Sequence, residues 1–224
     1  MIKSNGLLII LFIFSSFLSF TSQTFANQEG LSEKSILKKQ QTILILGDSL
    51  SAAYGIPIES SWAHLLKNTL VQHNAATGSR YNLINASISG ETTDGGLRAL
   101  PGLLSKYQPA IVMIELGAND GLRGFPLTTI KKNLSALIES SQTKQAKVLL
   151  MGMHIPPNYG KRYADAFHNI FLSLAKHYNT ALVPFLLDGI AIEPSLMQAD
   201  GLHPTAQAQV TIKNKVWKQL KLLL

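Results

Sequence analysis

Short runs of bulky aliphatic residues alternate along this chain with longer segments in which apolar positions recur every three or four residues. The apolar runs fall at 42–46, 81–85, 110–116, 147–152 and 181–185 and are rich in Val, Ile and Leu. Short aliphatic-rich runs of that length predict strands, and the first, 42–46, apolar along its length and closed by a turn signal, reads as a strand buried on both faces. The segments 61–73, 92–106, 127–141, 162–178 and 206–222 have helical spacing and predict amphipathic helices. Five strands alternating with five helices predict an α/β fold, a five-stranded parallel sheet inside a three-layer α/β/α sandwich. Right-handed crossovers make a doubly wound sheet the natural solution. Gly55 and Pro57 interrupt the chain before the first long helix, and Pro156, Pro157 and Asn158 force a loop after the fourth strand. Pro204 is expected near the first turn of the last helix, where proline is favoured.

The first forty residues stand outside this alternation. Lys3 precedes a run from 7 to 20 that is apolar except for Ser15, Ser16 and Ser19, and Thr24-Phe25-Ala26 offers small residues at the −3 and −1 positions of a cleavage site. That layout predicts a secretory signal peptide over 1–26. A membrane anchor is the alternative, but the run is shorter than the ~20 residues a spanning helix needs. Residues 27–40 are polar and read as a flexible lead-in, which leaves 41–224 as one domain. The chain is 46% hydrophobic and 15% charged, enough to bury a core and too apolar for disorder. It has no cysteine, so neither a disulfide framework nor a lipid anchor on cysteine is available. The net charge of +7 is spread along the chain; Lys213, Lys215, Lys218 and Lys221 lie on the last predicted helix and read as a solvated face. A transient contact with an anionic membrane surface is compatible with that charge. Nothing else points to a nucleic-acid partner.

Chemistry-bearing residues gather where the predicted strands end. Gly47-Asp48-Ser49 follows the first strand, a segment ending in Ser89-Gly90-Glu91 the second, and Gly117-Ala118-Asn119-Asp120 the third. Asp200-Gly201-Leu202-His203 precedes the last helix. Each has a plain structural reading as a turn or a helix cap. In a parallel sheet, however, all four meet at the carboxyl edge, where ligands bind. Together they meet the needs of serine acyl transfer. Ser49 is the candidate nucleophile, His203 the base that activates it, and Asp200 the carboxylate that orients His203. The Ser49 and Gly90 backbone N–H groups and the Asn119 amide are the candidate oxyanion donors. Asp48, beside its own serine, is expected to fix the turn or cap a helix rather than serve as the triad acid.

The strings Gly-Asp-Ser-Leu-Ser at 47–51, Gly90, Gly-Ala-Asn-Asp at 117–120 and Asp-Gly-Leu-His-Pro at 200–204 resemble the four sequence blocks of the SGNH (GDSL) hydrolases. The strings 85–96, 115–125 and 157–162 are similar to one branch of that family, the periplasmic acyl-CoA thioesterases that also act as lysophospholipases and arylesterases. The resemblance runs from about residue 42 to the C-terminus. It implies a flavodoxin-like sandwich, catalysis by Ser49, Asp200 and His203, oxyanion donors at Ser49, Gly90 and Asn119, and broad use of esters and thioesters without a metal or other cofactor.

Substrate preference is expected from two loops. Residues 121–126 bring Leu122 and Phe125 beside the proposed oxyanion donors, and 154–159 bring Ile155, Pro156 and Tyr159. These five are the candidate walls of an acyl groove. His64, His73, His168 and His177 lie in helical segments without paired ligands, so solvated or packed roles are expected for them; His154 follows the fourth strand and could line the site, with packing the favoured reading. The leading reading is an exported monomeric serine hydrolase acting on acyl esters, thioesters or lysophospholipids. A carbohydrate O-acetylesterase shares the same blocks but wants aromatic platforms and polar donors in its loops. A non-catalytic domain holding an anion at Ser49 and Gly90 would have no use for Asp200 three residues before His203.

Overall fold

The computed structural model describes residues 40–224; the expected signal peptide and residues 27–39 of the lead-in lie outside the described residues. Strand β1 (Gln41–Gly47) is followed by α1 (Trp62–Thr77), β2 (Tyr81–Asn85), α2 (Thr93–Tyr107) and β3 (Ile111–Glu115). Then come α3 (Ala118–Leu122), α4 (Leu127–Thr143), β4 (Lys147–Met151), α5 (Lys161–Tyr178), β5 (Ala181–Val183) and α6 (Gln209–Leu220). All four strand pairings are parallel, in the order β2-β1-β3-β4-β5. That is the flavodoxin-like order, in which β1 lies between its two successors and the chain reverses direction at β1/β3.

Helices α1 and α6 pack together, and α2, α4 and α5 form a second layer. Between them β1 and β3 are buried on both faces, Ile43 to Leu46 and Ile111 to Ile114 being essentially inaccessible. This is why their sequences are unbroken aliphatic runs over 43–46 and 111–114. The helix starts have local causes. Ser61 Oγ accepts the His64 N–H at the start of α1, and Thr92 Oγ1 accepts the Gly95 N–H at the start of α2.

Before α1, which begins at Trp62 as expected, the Ser51 and Ala52 N–H groups fold back onto the Asp48 carbonyl. The structure departs from the pattern in three places, all near the carboxyl edge of the sheet. The short α3 was not foreseen, because five residues are too few for a period to declare itself. Strand β5 stops at Val183 because Pro184 has no N–H, although the chain stays beside β4 through Gly152 N–H to Val183 O and Leu186 N–H to Gly152 O. Pro204 does not open the last helix. It pairs with Met197 in an antiparallel bridge, and a short turn at Ala206–Ala208 leads into α6.

Candidate active site

Ser49 stands on a turn held from three sides. The Leu50 N–H donates to Asp48 Oδ1 at 3.0 Å, the Leu50 carbonyl accepts Trp62 Nε1–H at 2.9 Å, and the Tyr54 N–H reaches back to the Ser49 carbonyl at 3.3 Å. Trp62 is wholly buried, so the turn rests on the start of α1. Asp48 therefore fixes the turn, as expected, and its other oxygen accepts from the Asn119 amide at 3.1 Å.

Beneath the turn lies a buried acid that sequence reasoning missed. Glu115, the last residue of β3, is inaccessible to solvent. Its Oε2 accepts from Ser51 Oγ at 2.6 Å and from the Asp48 N–H at 3.2 Å. Gly47 leaves room for this cluster, since a Cβ there would lie 2.8 Å from both Glu115 Oε2 and Ser51 Oγ. Burial raises Glu115 well above the usual carboxylate range, and the neighbouring Asp48 charge adds to the rise. Burial also lifts Asp48 to about 6 against hydrogen bonds from Leu50, Glu115 and Asn119. A strand reading that counted only apolar runs had no reason to single out one acid at the strand end.

Across the edge, residues 196–205 form a narrow hairpin. Its Asp200 Oδ1 accepts the Leu202 and His203 N–H groups at 2.9 and 3.0 Å. His203 Nδ1 lies 2.6 Å from Asp200 Oδ2, and His203 Nε2 lies 2.8 Å from Ser49 Oγ. Partial burial pushes Asp200 up, but the hydrogen bonds from His203 and Leu202 outweigh it and hold the carboxyl at about 2. Asp200 is thus ionised at any working pH and fixes His203 with Nδ1 protonated and Nε2 turned to the serine. A serine hydroxyl with an imidazole acceptor, itself oriented by a carboxylate, is an activated nucleophile.

Ser49, Gly90, Asn119 and His203 line one cavity of about 580 Å³. Gly90 has φ +81°, a conformation that favours glycine. Among the described residues no protein acceptor takes the N–H of Ser49 or Gly90. The Asn119 amide, by contrast, is engaged twice, with Asp48 Oδ2 and with the Glu91 carbonyl at 2.9 Å. Asp120 is buried and accepts from the Thr93 N–H and Oγ1 at 2.9 and 2.5 Å, satisfying the first N–H of α2 and joining the start of that helix to α3.

With that geometry in view, residues 45–209 match the model of the GDSL-like lipase/acylhydrolase family. The chain belongs to that family. It is 48% identical over 180 residues to an arylesterase of Vibrio mimicus, covering 80% of this chain and 88% of the relative. It is 42% identical over 183 residues to thioesterase 1/protease 1/lysophospholipase L1 of Escherichia coli K12, covering 82% and 85%. A crystal structure of TesA superposes with a TM-score of 0.77 at 46% identity, covering 82% of this chain and all of that one. Like the family, the chain is a hydrolase.

Against this family frame, the five proposed wall residues divide. Leu122, Ile155 and Pro156 line the cavity, whereas Phe125 and Tyr159 lie outside it on the surface. The reason is local: the turn that ends α3 carries Phe125 past the cavity, and Tyr163 Oη donates to its carbonyl on the outer side. The opposite wall, missed in the sequence, comes from the segment after β5, with Phe185, Leu187, Ile192, Met197 and Leu202. Apart from Phe185, at the end of the fifth apolar run, those residues have neither strand nor helix period, so only their apolar character could have flagged them. Tyr54 closes the site from the nucleophile side, its ring 4.4 Å from that of His203. His154 also faces the cavity, stacked on His168 at 3.6 Å, and burial and that neighbour lower its pKa. No group of three or more metal-ligating side chains occurs among the described residues.

Proposed function

We infer that the protein hydrolyses carboxylic esters and thioesters of acyl chains through an acyl-enzyme on Ser49. The observation that carries this reading is the unbroken run from Asp200 Oδ2 through the His203 ring to Ser49 Oγ, at 2.6 and 2.8 Å. Ser49 Oγ attacks the substrate carbonyl carbon as its proton passes to His203 Nε2. Asp200 accepts Nδ1–H and stabilises the imidazolium. The carbonyl oxygen becomes an oxyanion facing the Ser49 and Gly90 N–H groups and the Asn119 amide. Collapse breaks the bond to the leaving oxygen or sulfur, which takes the proton from His203. Water, activated by the same imidazole, then attacks the acyl-enzyme and releases the carboxylic acid. Every proton in this cycle is carried by these side chains and water.

Leu122, Met153, Ile155, Phe185 and Ile192 surround the reacting centre with apolar surface. That favours an acyl chain over a sugar, and so an acyl esterase over a carbohydrate O-acetylesterase. Lysophospholipids are proposed among the substrates on the same ground. The layout of residues 1–26 supports export to the periplasm or beyond, with a monomeric domain over 41–224 making at most transient contact with a membrane surface.

The test is hydrolysis of 4-nitrophenyl esters of two to sixteen carbons by the mature protein and Ser49→Ala. Turnover by wild type on medium and long chains, abolished by Ser49→Ala, is expected. A strong preference for acetate would favour the acetylesterase, and no wild-type turnover at any length would sink the esterase reading.

A further inference from the structure

Gln198 sits where the two halves of the proposed nucleophile–base pair are joined, and nothing in the proposed chemistry uses it. Its own N–H donates to the His203 carbonyl at 2.7 Å, and its carbonyl accepts the Gly201 N–H at 2.9 Å, closing the hairpin that carries Asp200 and His203. Its side-chain amide leaves that hairpin. Nε2 donates to the Tyr54 carbonyl at 2.9 Å and to the Pro204 carbonyl at 3.1 Å. Tyr54 in turn donates its N–H to the Ser49 carbonyl, and its ring lies against the His203 ring.

A closed circuit results: Ser49 to Tyr54, Tyr54 to Gln198, Gln198 to His203, and His203 back to Ser49. The Ser49–His203 contact spans two segments 154 positions apart in sequence, neither of them regular secondary structure. Strands and helices therefore cannot set this distance directly. Gln198 is suited to the task because one amide nitrogen has two hydrogens, one for each side of the gap. We propose that Gln198 is a positioning residue, which holds His203 at bonding distance from Ser49 by tying the base-bearing hairpin to the loop that follows the nucleophile. The inference rests on the reading of Ser49 and His203 as nucleophile and base.

Its consequence is kinetic. With the tie cut, His203 samples positions off the serine, and a displacement near 1 Å can cost about a hundredfold in rate. Gln198→Met keeps the length and removes both donors; Gln198→Glu keeps the shape and places acceptors against two carbonyls. Either is expected to lower kcat on 4-nitrophenyl butyrate by about ten- to a hundredfold, with KM within about twofold. The rate of Ser49 phosphonylation by a 4-nitrophenyl phosphonate should fall by the same factor, because that reaction uses the same nucleophile and base and has no deacylation step. Asn74→Ala is the control. It removes two comparable bonds, to the Tyr81 carbonyl and N–H, at the far, amino end of β2. It should lower thermal stability without slowing phosphonylation. If phosphonylation is as fast in either folded Gln198 variant as in wild type, or as slow in Asn74→Ala as in the Gln198 variants, the positioning role is wrong. Failure of the wild type to react at all would refute instead the assignment of Ser49.

Discussion

Glu115 offers the sharpest test of how the nucleophile turn is built. Its carboxyl is buried with that of Asp48, and among the described residues no cation is hydrogen-bonded to either. Two negative charges in so dry a site would repel strongly, so the pair keeps a proton. Oε2 takes both protein donors, while Oε1 is buried without one, which fits an oxygen carrying the acid proton toward Asp48. Glu115→Gln reproduces that arrangement, since its amide oxygen accepts from Ser51 and Asp48 and its NH₂ donates. Glu115→Ala leaves those two donors unpaired, at about 1–3 kcal/mol each, and adds a cavity. We expect the Ala variant to lose at least about 3 kcal/mol, or roughly 6–12 °C in Tm, and the Gln variant to lose under about 1 kcal/mol at neutral pH.

The pH dependence separates the two explanations of that difference. An acid whose folded-state pKa is raised contributes stability that is complete below its unfolded value and is lost as pH rises toward its folded value. For Asp48 that window runs from 3.8 to about 6; for Glu115 it opens at 4.5 and extends well upward. Wild type should therefore lose up to about 1.4 kcal/mol per pH unit from Glu115 alone as pH rises above 5, and Glu115→Gln should not. Urea unfolding at pH 5, 6, 7 and 8 at constant ionic strength measures this. Parallel plots of stability against pH for the two proteins would refute a protonated Glu115.

Asn119→Ala should lower kcat by about 10²–10³ with little change in KM on a short ester; a change confined to KM would remove the amide from the oxyanion site. For the acyl wall, Ile155→Asp is a poor probe, because at 4% exposure it buries a carboxylate and threatens the fold. Leu122→Asp, on a half-buried cavity residue, should depress turnover of long-chain more than acetyl esters, while Phe125→Ala and Tyr159→Ala leave the chain-length profile unchanged; equal losses on long and short esters for Leu122→Asp would clear that wall of an acyl role.

What could be read from the chain and what could not follow from one physical distinction. Strands buried on both faces favour consecutive apolar residues, so β1 and β3 declared themselves through 43–46 and 111–114, and the parallel order then brought Ser49, Asn119 and the Asp200–His203 pair to one edge. The residues that hold those groups in place work through single hydrogen bonds between segments remote in sequence. Trp62 Nε1 to Leu50 O, Glu115 to Ser51, and Gln198 to Tyr54 each join residues whose relation no local period encodes. Nor could spacing distinguish Leu122, which enters the cavity, from Phe125, three positions on, because the turn after α3 decides between them.

The Asn119 amide shows why the fixed surroundings matter as much as the reacting groups. In the resting enzyme its hydrogens are taken by the Asp48 carboxylate and the Glu91 carbonyl. A neutral substrate carbonyl is no better an acceptor than the Glu91 carbonyl, so exchanging one for the other gains nothing in the ground state. An oxyanion is a charged acceptor, and hydrogen bonds to ionised groups are roughly twice as strong as neutral ones. With Asn119 in its proposed role as an oxyanion donor, the exchange becomes favourable only as negative charge develops, which is the condition for an interaction to raise kcat rather than merely lower KM. The bond to Asp48 meanwhile keeps the NH₂ end of the amide oriented, and an ionised Asp48 is the stronger acceptor for it. A neighbouring acid that retains its own proton, Glu115, spares Asp48 a second negative charge, so the buried pair beneath the turn and the donor above it are parts of one arrangement.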